Sequence, residues 1–233
     1  MRKDFNLGQT ACLRERYPRI MFQIRIHGRG GQGVVTATEM LSLAAFREGR
    51  WAQAFPSFGS ERTGAPVVAY CRIDEREIRL REPVLQPDAL VIQDPTLLHQ
   101  VDVFGGLAPD GYILINTVRS FDALGMGDFV KDFRAAHLCT VPATEIALRH
   151  IGRPVPNAAL LGGFAALTGR ISLESVEAAI REREDARSME PGPVPPAARP
   201  GRQSSPDETD NRVLWRQDAE RVNAMYAERA RSG

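Results

Sequence analysis

Lysine is almost missing from this chain. Of its 30 basic residues, only Lys3 and Lys131 are lysines, and the rest are arginine. That bias reads as the mark of a GC-rich genome rather than of an arginine-specific function. Cysteine is scarce as well. Cys12, Cys71 and Cys139 lie far apart, and none stands in a C-x-x-C. Such spacing argues against an iron–sulfur cluster, a structural zinc site or a disulfide scaffold carried by this chain alone. Cys71 and Cys139 fall in apolar, strand-like runs and read as small core residues. No apolar run reaches the 18 residues of a membrane span. The first 21 residues lack the apolar core of a secretory signal. A reduced, cytoplasmic setting is the expectation. The formal net charge is only +1, so nothing pulls the whole chain towards nucleic acid or an anionic membrane.

What is present is ordinary globular material. The chain has 233 residues, with 43% hydrophobic and 25% charged, enough for one domain with a real core and an appendage. The segment 22–26, FQIRI, alternates and reads as a first strand ending at Gly28. Residues 34–46 read as a helix with Gly49 just past its end. Residues 50–55 read as a strand stopped by Pro56, and 66–73 as another. A charged turn then leads to a short IRL at 78–80, which suggests an antiparallel hairpin between 66–73 and 78–80. The runs 89–94, 112–117 and 137–141 look like buried parallel strands. Helices are expected at 128–135, 144–151 and 157–167, with Asn157 as an N-cap. Ser172 caps a final amphipathic helix bearing Leu173, Val176 and Ile180. The fold class is α/β: a single domain over 22–187 with a mostly parallel sheet flanked by helices and an inserted antiparallel hairpin.

Beyond it the composition changes. Residues 188–210 are proline-rich and without periodicity, and read as a linker. Residues 211–233 read as a C-terminal docking helix whose stripe is Leu214 or Trp215, Ala219, Val222 and Tyr226. It buries that stripe either on its own domain or on another chain. Residues 1–21 form an N-terminal extension.

The stretch HGRGGQGVV, residues 27–35, carries the chemistry. Gly28, Arg29, Gly30, Gly31, Gln32 and Gly33 follow a strand and open a helix. That arrangement presents unpaired backbone N–H groups and the positive end of a helix dipole, which suits phosphate. Arg29 would add charge. Gly28, Gly30 and Gly33 also match G-x-G-x-x-G, so a free-standing NAD(P)- or flavin-binding oxidoreductase is one reading. A tight turn that packs helix on sheet without ligand is another. A dinucleotide site wants an acid at the end of the second strand. Glu48 stands 20 positions after Gly28 but at the helix end, and the second strand ends in Phe55-Pro56-Ser57. Ligands in open α/β sheets sit beyond the carboxyl ends of the strands. That edge is expected to gather Gly28–Gly33, Phe55–Ser57, Asp94–Thr96 and Asn116–Thr117. Asp94 and Thr96 also suit a helix cap, and Asn116 a turn. His27 reads more readily as a strand-end residue than as a ligand. No catalytic set of Ser–His–Asp or Cys–His type and no metal constellation can be assigned.

The segment QAFPSFGSERTGAPVVAYCRI, 53–73, adds a polar loop with Ser57, Glu61 and Arg62. Together with the glycine loop, PDALVIQDPTLL, GYILINT and PNAALLGGFAALTGRISLESVEAAI, it resembles the gamma subunit of 2-oxoacid:ferredoxin oxidoreductases, of the pyruvate and 2-oxoisovalerate type. The resemblance covers about 22–187, with the motifs in order. It implies a subunit of an enzyme that oxidatively decarboxylates a 2-oxoacid with coenzyme A (CoA) to acyl-CoA and CO2, passing electrons to ferredoxin or another acceptor. Thiamine diphosphate and Mg2+ would belong to the alpha and beta partner subunits, and 4Fe-4S clusters to beta and a ferredoxin-like delta subunit. This chain would carry no cofactor or metal. It would cover the active-site region and contribute to the CoA route through Gly28–Gly33, Ser57, Glu61, Arg62 and Asn116. Departures from the resemblance are Ser60 where proline is common, Thr63 where arginine or glycine is common, the N-terminal extension and the proline-rich insertion. These suggest a modified complex whose tail grips an extra electron-transfer subunit, such as a flavin subunit reducing NAD. The small subunit of indolepyruvate oxidoreductase is a related alternative.

Overall fold

A computed structural model describes residues 21–57 and 63–189. Residues 1–20, the linker and C-terminal helix read at 190–233, and the loop positions 58–62 lie outside the described residues. The first strand, β1 (Phe22–Arg29), runs three residues further than its alternation alone marked. Its inward positions Phe22, Ile24 and Ile26 are buried. Helix α1 (Val34–Arg47) follows, then β2 (Trp51–Pro56) and β3 (Pro66–Asp74). Strand β4 (Ala89–Ile92) is buried at every position, as a central strand covered on both faces must be. A 3-10 turn (Pro95–His99), β5 (Tyr112–Asn116), a single helical turn α2 (Gly127–Val130) and β6 (Leu138–Val141) come next. Three helices close the domain: α3 (Ala143–Ile151), α4 (Asn157–Thr168) and α5 (Leu173–Met189).

The six strands lie in the order β2-β3-β1-β4-β5-β6. Strand β1 pairs parallel with β4, β4 with β5, and β5 with β6. Strand β3 is antiparallel to both β1 and β2, so it alone runs against the others. The hairpin is therefore β2–β3, closed by the 57–65 loop, and not 66–73 with 78–80. The reason is physical: both hydrogen-bonding edges of β3 are filled, by β1 on one side and β2 on the other. That leaves 78–80 without an edge to join. Residues 128–135 also form less helix than expected: α2 ends at Val130, and the next turn, Ala135–His137, is 3-10.

Helices α1, α4 and α5 cover one face of the sheet. Phe164, Leu41, Ile24, Cys71 and Leu114 meet there, each large apolar side chain contributing about 1.5–3 kcal/mol by leaving water. The other face, over β4 and β5, is covered by Leu97, Val103, Leu124, Met126 and Val130. Ion pairs Arg47–Glu182 and Arg183–Glu39 tie α5 to α1. Ser172 caps α5 as expected, its Oγ accepting from the Ser175 amide at 3.2 Å.

Candidate functional site

Chain order reverses between β1 and β4. From β1 the chain moves outward through α1 to β2, and later sets β4, β5 and β6 on the other side. Open sheets bind ligands outside the carboxyl ends of the strands at such a point. The glycine loop ends β1, and Asp94 follows β4.

These two strand ends are tied together. The Arg29 guanidinium donates from Nε to Asp94 Oδ2 at 3.0 Å. Its Nη1 donates to the Gly64 carbonyl at 3.0 Å, and its Nη2 to Thr96 Oγ1 at 2.6 Å and Gln100 Oε1 at 2.8 Å. Gln32 adds a second clasp: Nε2 donates to Asp94 Oδ2 at 3.0 Å, and Oε1 accepts from the Arg29 amide at 2.8 Å. Asp94 also accepts from the Thr96 amide and hydroxyl, so it caps the 3-10 turn as read from the sequence. Burial alone would raise the Asp94 carboxyl. Hydrogen bonds from Thr96 and Gln32 and the Arg29 charge outweigh it and hold the group below its ordinary value. Arg29 was expected to reach a ligand. In the structure its donors go to four protein acceptors, and it acts as the bolt of the loop.

The polar groups that the loop leaves open are then main-chain. Gly30 N donates to the Ala65 carbonyl and Gly30 O accepts from Gly64 N. The C-terminal end of the 57–65 loop is thereby stitched along the glycine loop, with a bridge from Gly30 to Thr63. Gly31 and Gly33 have φ of +92° and +71°, a left-handed backbone that glycine adopts without steric cost. Gly28 is required for a different reason. A Cβ there would lie 2.6 Å from Val34 Cγ2, so helix and strand approach too closely for any side chain. The amides of Gly31, Gly33, Val34 and Val35 have no hydrogen-bond partner among the described residues. They sit at the N-terminus of a 14-residue helix, whose dipole favours an anion.

The other expected site residues separate. Ser57 lies at the end of β2, its amide bonded to the Val68 carbonyl. Glu61 and Arg62 lie outside the described residues. Asn116 stands at the correct edge but is turned inward: Nδ2 donates to the Gln93 carbonyl and Thr144 Oγ1, and Oδ1 accepts from the Thr144 amide. Glu48 is at the far end of α1, where it accepts from the Ser172 amide and pairs with Arg50. The helix separates it from the glycine loop by about 20 Å, at ~1.5 Å per residue, so it cannot take the ribose of a dinucleotide seated there. His27 is 4% exposed, and neither ring nitrogen has a partner among the described residues. Burial, then the neighbouring Arg25 charge, lowers its pKa to about 4.

Two residues escaped the sequence reading. Asn157 does not cap α4; Pro156 precedes the helix, and Asn157 is its first residue. Its Nδ2 instead donates to the Gly33 carbonyl at 3.0 Å, and its Oδ1 accepts from Gln93 Nε2 at 3.2 Å. Gln93, 1% exposed, follows an apolar strand in which nothing marked it as polar machinery. Its Oε1 is buried and has no partner among the described residues. Among the described residues no group of three or more His, Cys, Asp and Glu side chains could hold a metal ion, and no helix is long and apolar enough to cross a membrane.

Comparison with known proteins follows the same outline. The family model described as Pyruvate ferredoxin/flavodoxin oxidoreductase matches residues 23–190. The chain is 51% identical over 161 residues to the pyruvate synthase subunit PorC of Methanosarcina barkeri, covering 69% of this chain and 85% of that protein. It is 48% identical over 162 residues to the pyruvate/ketoisovalerate oxidoreductases common subunit gamma of Pyrococcus abyssi, covering 70% of this chain and 86% of that one. A crystal structure of pyruvate oxidoreductase subunit PORC from Thermotoga maritima is similar with a TM-score of 0.64 and 33% identity, over 88% of this chain and 97% of the other.

Proposed function

This chain belongs to the pyruvate ferredoxin/flavodoxin oxidoreductase family and is a gamma-type subunit of a 2-oxoacid oxidoreductase; from that premise we propose that its glycine loop receives the anionic part of CoA in a multi-subunit, thiamine-diphosphate-dependent, CoA-acylating complex. The observation that carries the reading is the row of amides at Gly31, Gly33, Val34 and Val35 without a partner among the described residues, at the point where the strand order reverses. Backbone amides and a helix dipole bind a phosphate without a charged side chain. The Arg29–Asp94 clasp keeps them pre-arranged, so little ordering is needed on binding. The chain's share of the work is to bind, orient and cover, and the reading gives none of its side chains a bond-breaking role.

Thiamine diphosphate, when bound with Mg2+ by partner subunits, supplies the stabilised carbanion chemistry of decarboxylation. A cysteine ligates a cluster as its thiolate. Cys71 and Cys139 are 0% and 2% exposed in separate strands, and burial pushes the Cys71 thiol up to about 12. These residues do not fit a cluster, so the reading gives the 4Fe-4S clusters to the beta and ferredoxin-like delta partners, with ferredoxin or another carrier as acceptor.

Gly31→Ala tests the loop. Among the described residues its Cβ would meet only Thr63 Cγ2, at 3.9 Å, so the change strains φ without a clash with them. That strain is worth about 1–2 kcal/mol and turns the amides. In the assembled complex the KM for CoA is expected to rise about tenfold, a loss of about 1.4 kcal/mol in binding, with the KM for the 2-oxoacid unchanged. An unchanged KM for CoA would remove the loop from the CoA site.

A further inference from the structure

Five residues, at the ends of five elements, form one hydrogen-bonded chain under the glycine loop. The Thr144 amide donates to Asn116 Oδ1 at 3.1 Å, and Asn116 Nδ2 donates to the Gln93 carbonyl at 2.8 Å. Gln93 Nε2 donates to Asn157 Oδ1 at 3.2 Å, and Asn157 Nδ2 donates to the Gly33 carbonyl at 3.0 Å. The chain therefore joins the first turns of α3, α4 and α1 to the carboxyl ends of β4 and β5. Its three amide side chains are 7%, 1% and 4% exposed at Asn116, Gln93 and Asn157. Buried amides contribute little net stability over apolar residues of the same shape, and lose heavily when one partner is removed. What such a network does provide is a fixed geometry.

The fixed point is Gly33. A Cβ there would stand 2.4 Å from Asn157 Nδ2, so the asparagine amide occupies the space a side chain would fill. Gly33 O accepts from Asn157 and also from the Ala37 amide at 2.9 Å, the first bond of α1. Asn157 thus grips the one peptide whose left-handed turn decides where the amides of Gly33 and Val34 point. We propose that Asn157 is a positioning residue for CoA: held by Gln93, it sets the aim of the loop amides without touching the ligand. The inference rests on the CoA reading of the loop given above.

The test uses the assembled complex with Asn157→Ala and Asn157→Asp, read beside Gly31→Ala. Asn157→Asp keeps the acceptor for Gln93 Nε2, loses the donor to Gly33, and places a negative charge below an anion site. The expected result is a rise in the KM for CoA of about tenfold for alanine, the ~1.4 kcal/mol of a lost hydrogen bond, and a larger rise for aspartate. In both, kcat at saturating CoA and the KM for the 2-oxoacid stay within about twofold. A residue that only braces the fold would lower kcat and assembly without singling out CoA, and that outcome overturns the proposal. If Gly31→Ala raises the KM for CoA while both Asn157 variants leave it unchanged, the positioning role falls and the loop reading stands. If none of the three raises it, the loop reading falls first.

Discussion

Asp94→Ala is expected to cost the chain about 2–3 kcal/mol and to loosen the glycine loop in the same step. The carboxylate takes hydrogen bonds from Arg29, from Gln32 and twice from Thr96. Its removal leaves Arg29, whose side chain is 22% exposed, without its carboxylate partner at the switch point. Breaking a fully buried pair costs about 3–5 kcal/mol, while an exposed pair is worth less than about 1. This one is partly exposed, so a cost between those two limits applies. A double-mutant cycle with Arg29→Ala isolates the contact, and a coupling of about 1–2 kcal/mol is expected. Arg29→Lys would recover little of it, because a single ammonium cannot reach Asp94, Gly64, Thr96 and Gln100 at once. Coupling under about 0.5 kcal/mol in denaturant unfolding would show a solvated surface pair and take away the bolt that holds the amides in place.

The second large effect concerns pH. His27 is neutral in the fold, with a pKa lowered to about 4 by burial and by Arg25. The unfolded chain binds a proton at its ordinary value near 6.5. Between those values the unfolded state holds more protons, so stability falls as pH falls. The contribution is fully present above about 6.5, and about 2 kcal/mol of it is lost by about pH 5. Asp94, lowered in the fold, acts in the same direction, but only as pH drops through the carboxylate range. His27→Leu removes the proton and keeps the apolar volume. The variant is expected to lose about 2 kcal/mol less than the parent between about pH 7.5 and pH 5, measured by urea unfolding at each pH. Parallel losses in the two proteins would mean that His27 titrates like a solvated histidine.

Local chemistry was legible in the sequence and long-range partnership was not. The glycine spacing and the apolar runs at 22–26, 89–94 and 112–117 depend on neighbours along the chain, and they mark β1, the loop, α1, β4 and β5 to within a few residues. The error over 78–80 arose because β3 finds both of its partners elsewhere, in β1 and β2. Nothing in a charged turn reports that both edges are already occupied. Arg29 looked like a ligand because its acceptors, Asp94, Thr96 and Gln100, are 65, 67 and 71 positions away. Asn157 looked like a cap because asparagine before an apolar run usually is one. Its true partner, Gly33, lies 124 residues earlier.

The central claim is that this chain works inside a CoA-acylating 2-oxoacid oxidoreductase. The most direct measurement is to affinity-purify the full chain from its own cells without oxygen. The co-purifying subunits, iron and thiamine diphosphate are then identified, and acceptor reduction is assayed with 2-oxoacid in the presence and absence of CoA. The account predicts alpha, beta and delta-type partners carrying clusters and thiamine diphosphate, with reduction that requires both substrates. A chain that purifies alone, with a nicotinamide or flavin dinucleotide on its glycine loop, would contradict it.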